Sequence, residues 1–329
     1  MKVKLIAVLA VISVLLVAFA LQRQGDDRVD DLQSRQLLSE EQLAIANQLD
    51  SLTLAKGGVE VEVVRDNGRW GVVSKELFPA QPERIAALLH AVRGARVTAA
   101  QTDNPEHHAR LGLDPANPGD TTLQVTLTSA EGSFGIIYGN QVGNGQLVRF
   151  ADDNQVWLIN RPFGMTVNDV EWLDLLVAQI PMTDAATARW THADGDVLEL
   201  EKPSEGAYNF RVAGLEQAQQ QGNERWINSM VLALIDLRAQ DVRLRSELAL
   251  DEPMLQMQVS TWLGAELEAS LYEIDGRYWL VVDRFEQPEE SNLGVNADER
   301  WAFQLGIGQV ENLNKRQSDI LRASESAAE

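Results

Sequence analysis

Hydrophobic and polar positions follow three regimes along the chain. The first is an uncharged run, Leu5 to Leu21 (LIAVLAVISVLLVAFAL), preceded by Lys2 and Lys4 and followed by a polar stretch. At ~1.5 Å per helical residue, it sits at the short end of what spans a bilayer core of ~30 Å. The same residues also fit a signal peptide. Lys2 and Lys4 would be its basic region, Leu5 to Val17 its apolar region, and Ala18-Phe19-Ala20 its cleavage motif. Both readings remain open from the pattern. In either, the basic-residue bias keeps the amino terminus inside and sends the rest of the chain out of the cytoplasm.

The second regime is period-two alternation. Val59, Val61 and Val63 alternate with Glu60 and Glu62, and Asp66-Asn67-Gly68 follows as a hairpin signal, because Asn and Gly tolerate positive φ. Leu123, Val125 and Leu127, then Phe134, Ile136 and Tyr138, predict two more strands around Glu131-Gly132. Gln146 to Phe150 and Gln155 to Ile159 predict a hairpin around Asp152-Asp153-Asn154. Later strands are predicted at Val197 to Leu200, Tyr208 to Val212, Leu255 to Val259, Leu267 to Tyr272 and Tyr278 to Val282.

The third regime is helical spacing. Ser39-Glu40-Glu41-Gln42 reads as a capping box opening a short helix. Ile85, Leu88, Leu89 and Val92 form one apolar stripe behind Pro82, with Gly94 as the stop. Ile227, Met230, Val231 and Leu234 repeat that spacing. Asn168 with Glu171 predicts a helix carrying Trp172, Leu175 and Leu176 and ending before Pro181.

Together these predict an α+β chain: an N-terminal transmembrane helix followed by two similar antiparallel-sheet-plus-helix units in tandem, read as a duplication. The expected divisions are 1–21 anchor or signal peptide, 22–49 polar linker with a short helix, 50–181 first unit, 182–320 second unit and 321–329 disordered tail.

Composition narrows the chemistry. The formal charge is -21 over 329 residues. Such acidity opposes binding to nucleic-acid phosphates or to an anionic lipid face. There is no cysteine, which excludes disulfides, thiolate metal sites and Cys nucleophiles.

Gly68-Arg69-Trp70, Phe78-Pro79-Ala80, Pro105-Glu106 and Leu111-Gly112-Leu113 with Pro115 form a set of short motifs. Gly139, Val148-Arg149, Trp172-Leu173-Asp174 and Ile180-Pro181 extend it. The set resembles the DUF4340 family of uncharacterised bacterial proteins, well over about residues 50 to 181 and loosely beyond. The resemblance implies an N-terminal membrane anchor, an exported α+β domain, and an accessory role beside ABC-transporter components of the gliding-motility type. It implies no catalytic residues. His107-His108 stands where relatives tend to have an aromatic residue.

No constellation in the sequence commands a catalytic, cofactor or metal assignment. Adjacent histidines such as His107-His108 point apart on a strand or helix, and His90 and His192 lie on other elements, so a solvated loop is the preferred reading. Glu60 and Glu62 share a strand face that reads as its wet side. Asp152-Asp153-Asn154 lacks the spacing of a calcium loop, and Gly139 to Gly145 (GNQVGNG) lacks both dinucleotide and P-loop spacing; both read as turns. No G-x-S-x-G elbow occurs. Trp70, Trp157, Trp226, Trp262 and Trp279 are expected in the core.

The expected function is therefore a non-enzymatic, membrane-tethered extracytoplasmic protein acting through contacts with envelope or ABC-transporter proteins. The alternative is an extracytoplasmic ligand-binding module, for example for a glycan. The expected location is single-pass in the bacterial inner membrane, with a cytoplasmic N-terminus and a periplasmic domain, or soluble in the periplasm after cleavage following Ala20.

Overall fold

The computed structural model describes residues 35–117, 121–216 and 223–320. The chain forms two compact units that are not successive in sequence. The first is Met1–Gly68 with Pro82–Asn168, and the second is Arg69–Gln81 with Asp169–Glu329.

The first unit contains β1 (Arg35–Gln36), α1 (Glu40–Asn47), β2 (Ser51–Lys56) and β3 (Val59–Asp66). The chain then contributes β4 (Arg69–Val72) and β5 (Phe78–Pro79) to the second unit. It returns with α2 (Pro82–Arg93), β6 (Arg96–Ala100), β7 (Leu123–Ser129), β8 (Gly132–Val142), β9 (Gly145–Phe150) and β10 (Trp157–Ile159). The strands lie in the order β1-β6-β10-β9-β8-β7-β2-β3. Alternation sets the register. Leu54 faces Val125, which faces Ile136, and all three are fully buried. Each such side chain contributes about 1.5–3 kcal/mol by leaving water. α1 starts at a capping box, with Gln42 N donating to Ser39 Oγ at 3.2 Å and Ser39 N donating to Gln42 Oε1 at 3.0 Å. It packs on β7 and β8. α2 buries Ile85, Leu88 and Val92, and Gly94 N donates to His90 O where it stops.

The second unit adds β11 (Leu176–Gln179), β12 (Ala185–His192), β13 (Val197–Glu201), β14 (Arg211–Val212), α3 (Glu224–Ile235), β15 (Asp236–Arg238) and β16 (Asp241–Leu244). After these come β17 (Leu255–Thr261), β18 (Glu266–Ile274), β19 (Arg277–Glu286), β20 (Gly294–Val295), β21 (Trp301–Leu305) and α4 (Ile307–Leu313). The large sheet runs β14-β13-β12-β17-β18-β19-β21-β16, and a small one runs β15-β11-β20. Its order β13-β12-β17-β18-β19-β21-β16 follows the same chain progression as β3-β2-β7-β8-β9-β10-β6 of the first unit. α3 buries Ile227, Met230, Val231, Leu234 and Ile235 and packs against α4.

Several expectations need correction. The architecture is dominated by antiparallel strands in three sheets, and the units interleave rather than following in tandem. The run at 5–21 lies outside the described residues. Among those described, no helix is long and apolar enough to cross a membrane. The longest two have 12 residues, about 18 Å of rise against a core of ~30 Å. The expected transmembrane helix and single-pass inner-membrane placement are thus without structural support and are set aside. The helix expected after Asn168 is a single 3-10 turn at Asp169–Trp172. Beyond it, Leu176–Gln179 is a strand, because β15 and β20 supply its backbone with partners on both edges. Gly294–Val295, within the acidic stretch Gln287 to Glu299, forms β20.

The segment Arg69–Gln81 is a structural part of the second unit. β4 pairs with β5 through Gly71 opposite Pro79 and Val72 opposite Phe78. Gln81 N donates to Trp172 O at 2.7 Å, and Asp174 N donates to Pro79 O at 2.8 Å. The Phe78 ring, fully buried, meets Trp301 edge-on at 5.0 Å and Phe303 at 6.2 Å. Phe78→Ala is expected to destabilise this unit by about 3–5 kcal/mol. Of the eight tryptophans only Trp157 lies in the first unit, so denaturation followed by tryptophan fluorescence reads the effect directly.

Candidate functional site

An apolar concave surface of the second unit lies between α3, α4 and the residues that follow α4. It is a cavity of about 580 Å³ lined by Trp226, Met254, Tyr278, Ile307, Val310 and Ile320, with Glu311, Asn314, Lys315 and Asp319 among its polar groups. Helical spacing explains the wall. α3 turns its stripe inward, which leaves Trp226, one position off that stripe, 49% exposed. Ile307, the first residue of α4, is 67% exposed. Lys315 Nζ lies 4.8 Å from the Trp226 ring centre and donates to Asn312 Oδ1 at 3.1 Å.

A charged cluster holds the segment that carries Lys315. Arg316 bonds both carboxylates of the β12–β13 turn, at 2.8 Å to Asp194 and 3.1 Å to Asp196. Asp194 is held below the usual carboxylate range, first by the Asp196 backbone N–H and then by the Arg316 side chain. His192 sits beside them, 3% exposed, and its Nε2 has no hydrogen-bond partner. Burial first, and then the Arg316 charge, push its pKa below the ordinary 6.5; a backbone bond to Lys315 and the fields of Asp196 and Asp194 oppose that shift. Ala193 N donates to Met254 O at 3.2 Å, tying this turn to the cavity wall.

A second apolar feature is the tip between β17 and β18. Trp262 is 37% exposed and Leu263 63%. The tip is pinned: Trp262 N donates to Asp184 O at 3.0 Å, Thr261 N donates to Ala265 O, and Ala265 N donates to Thr261 Oγ1. Asp184, Glu205 and Glu290 stand around the shallow hollow beside it.

The structure does not bring the sequence candidates together. His107 Nδ1 faces Thr102 Oγ1 at 3.3 Å within its own loop, whereas His108 is buried, against the expectation of a solvated loop, with Nε2 3.0 Å from Asn154 O in a turn distant in sequence. Glu60 and Glu62 lie on the opposite face of β3 from buried Val61 and Val63. Asp152-Asp153-Asn154 is a turn, where Arg149 donates to the Asp153 carbonyl and Asp153 Oδ1 accepts from Gln155 N. Gly139 to Gly145 spans the β8–β9 hairpin. Among the described residues, no group of three or more His, Cys, Asp or Glu is placed to hold a metal ion. Trp279 is buried, as expected, but Trp226 and Trp262 are exposed, and Trp70 and Trp157 are partly so. His192 and the Arg316 cluster went unforeseen. Only the Asp194-Gly195-Asp196 turn hints at them, and Arg316 reaches it from far along the chain.

The sequence matches the family described as a domain of unknown function, DUF4340, over residues 70–253. That span exceeds half of the 329-residue chain. The chain belongs to the DUF4340 family. No curated protein and no solved structure matches it. In this DUF4340 protein the motif residues are framework. A side chain at Gly139 would collide with the Leu111 carbonyl, which accepts from Asn140 N at 2.9 Å. Arg149 Nε donates to Leu113 O at 2.9 Å. Ala80 pairs with Leu173 beside the Gln81–Trp172 bond. Much of the cavity wall, from Met254 onward, lies beyond the matched span.

The His192 environment has a pH consequence. The unfolded chain takes up a proton near 6.5, but the folded chain does so only at lower pH. Between those values the unfolded state binds more protons, so this group lowers stability as pH falls below 6.5. His192→Gln removes the term. Between pH 7 and 5 the variant is expected to lose less stability, or gain more, than the wild type in urea titrations at each pH.

Proposed function

We propose that this DUF4340 protein is a non-enzymatic module that acts through protein–protein contacts. The observation that carries this reading is the pinned Trp262–Leu263 tip. Both side chains project from a backbone whose bonds are already made, so docking on them costs little ordering. A tryptophan inside a polar rim is the usual composition of an interface anchor. The rim carboxylates Asp184, Glu205 and Glu290 favour a partner with basic residues around an apolar pocket. The class of partner follows from the family resemblance: subunits of an ABC-transporter assembly of the gliding-motility type.

The test is a crosslinked pull-down from the native cell with the wild type and with Trp262→Ala/Leu263→Asp. Removing a hot-spot tryptophan costs about 2 kcal/mol or more, so partner recovery is expected to fall about 30-fold. Recovery of no transporter subunit by the wild type, or equal recovery by both forms, refutes the proposal.

A further inference from the structure

The cavity between α3 and α4 has features that a protein-contact tip does not require. Its volume, about 580 Å³, lies in the range that holds small ligands. Its walls are apolar and aromatic, and one cation projects into it. Lys315 is partly buried, and no carboxylate among the described residues lies within ion-pairing distance of its Nζ. Its contacts are the neutral Asn312 Oδ1 at 3.1 Å, Ser229 Oγ at 3.5 Å and the Trp226 face. Burial pulls its pKa down, with only the more distant Asp319 acting against that. A partly dry ammonium without a counter-ion gains more from an incoming anion than a hydrated one does, because the local dielectric is lower.

The other two charges at the cavity, Glu311 and Asp319, are exposed. Water and salt screen such groups, and their interactions are worth about 0–1 kcal/mol each. They therefore do not decide the sign of the ligand; Lys315 does. Its position is also fixed, because the next residue, Arg316, is bound to Asp194 and Asp196.

We propose that this cavity binds a small anionic amphiphile, a carboxylate carrying an apolar chain or ring. The carboxylate pairs with Lys315 and accepts from the Asn314 side chain. The apolar part lies along Trp226, Ile307, Val310 and Ile320. This site is separate from the Trp262–Leu263 tip, and either proposal can fail without the other.

The probes are decanoate, decanol and decylammonium, which share one tail and differ only in charge. Isothermal titration on the full chain is expected to show decanoate binding at least tenfold tighter than either analogue, and decanoate raises Tm. Lys315→Met keeps most of the unbranched side chain, one atom shorter, and removes the charge. It is expected to weaken decanoate at least tenfold and leave decanol unchanged, while Trp226→Ala weakens both. The wild-type comparison stands alone if a variant fails to fold. No binding of decanoate, equal binding of the three probes, or an unchanged decanoate affinity in a folded Lys315→Met protein overturns the proposal. So does a short apolar peptide acid that binds tighter than decanoate while its amide does not, because the site would then read a peptide C-terminus.

Discussion

The second unit depends on one ring. Phe78 arrives from a segment that lies, in sequence, between two stretches of the first unit, and it packs edge-on against Trp301 with Phe303 nearby. Two backbone bonds to the Trp172–Asp174 stretch fix its approach, from Gln81 N to Trp172 O and from Asp174 N to Pro79 O. Lys75 Nζ adds a 2.6 Å pair with Asp241, partly shielded from water, within the same unit. This segment thus supplies apolar cover to the aromatic faces on β21. The motifs Phe78-Pro79-Ala80 and Trp172-Leu173-Asp174 are the two halves of this one joint, and their spacing has a packing reason.

A comparable economy sets up the candidate cavity. Arg316 spans two carboxylates of the β12–β13 turn and so positions the backbone that carries Lys315. Exposed ion pairs contribute little to stability on their own. Here the pair matters as geometry: it holds a partly buried amine against Trp226 and keeps the chain after α4 on the cavity wall. His192 stays beside it at the cost of a buried, unpartnered ring nitrogen. The Trp262–Leu263 tip is organised differently, by backbone bonds across a short turn, and presents its apolar groups outward.

Much of the strand and helix content was legible because the signals are local. Asn67 and Gly68 adopt φ of 48 and 81, the conformation that their residue types make inexpensive. Ser39 and Gln42 close their capping box across three residues. The stripe Ile227, Met230, Val231 and Leu234 faces inward as its spacing requires. The misread places share a different feature. Leu176–Gln179 is too short for periodicity to separate helix from strand, and neighbours from distant sequence settled it. Trp226 and Trp262 have the composition of core residues, but whether an aromatic is covered depends on elements elsewhere in the chain.

The sequence by itself determined the alternation of strands and turns, the position of the two long helices and the absence of cysteine chemistry. Those properties reside in φ preferences, capping atoms and side-chain periods that operate within a few residues. The tertiary structure decided that Arg69–Gln81 serves the second unit, that His192 is buried, and that Trp226, Ile307 and Lys315 surround one cavity. These depend on burial and charge pairing between residues far apart in the chain. No local pattern encodes such partners, because each half of the contact has an ordinary sequence of its own.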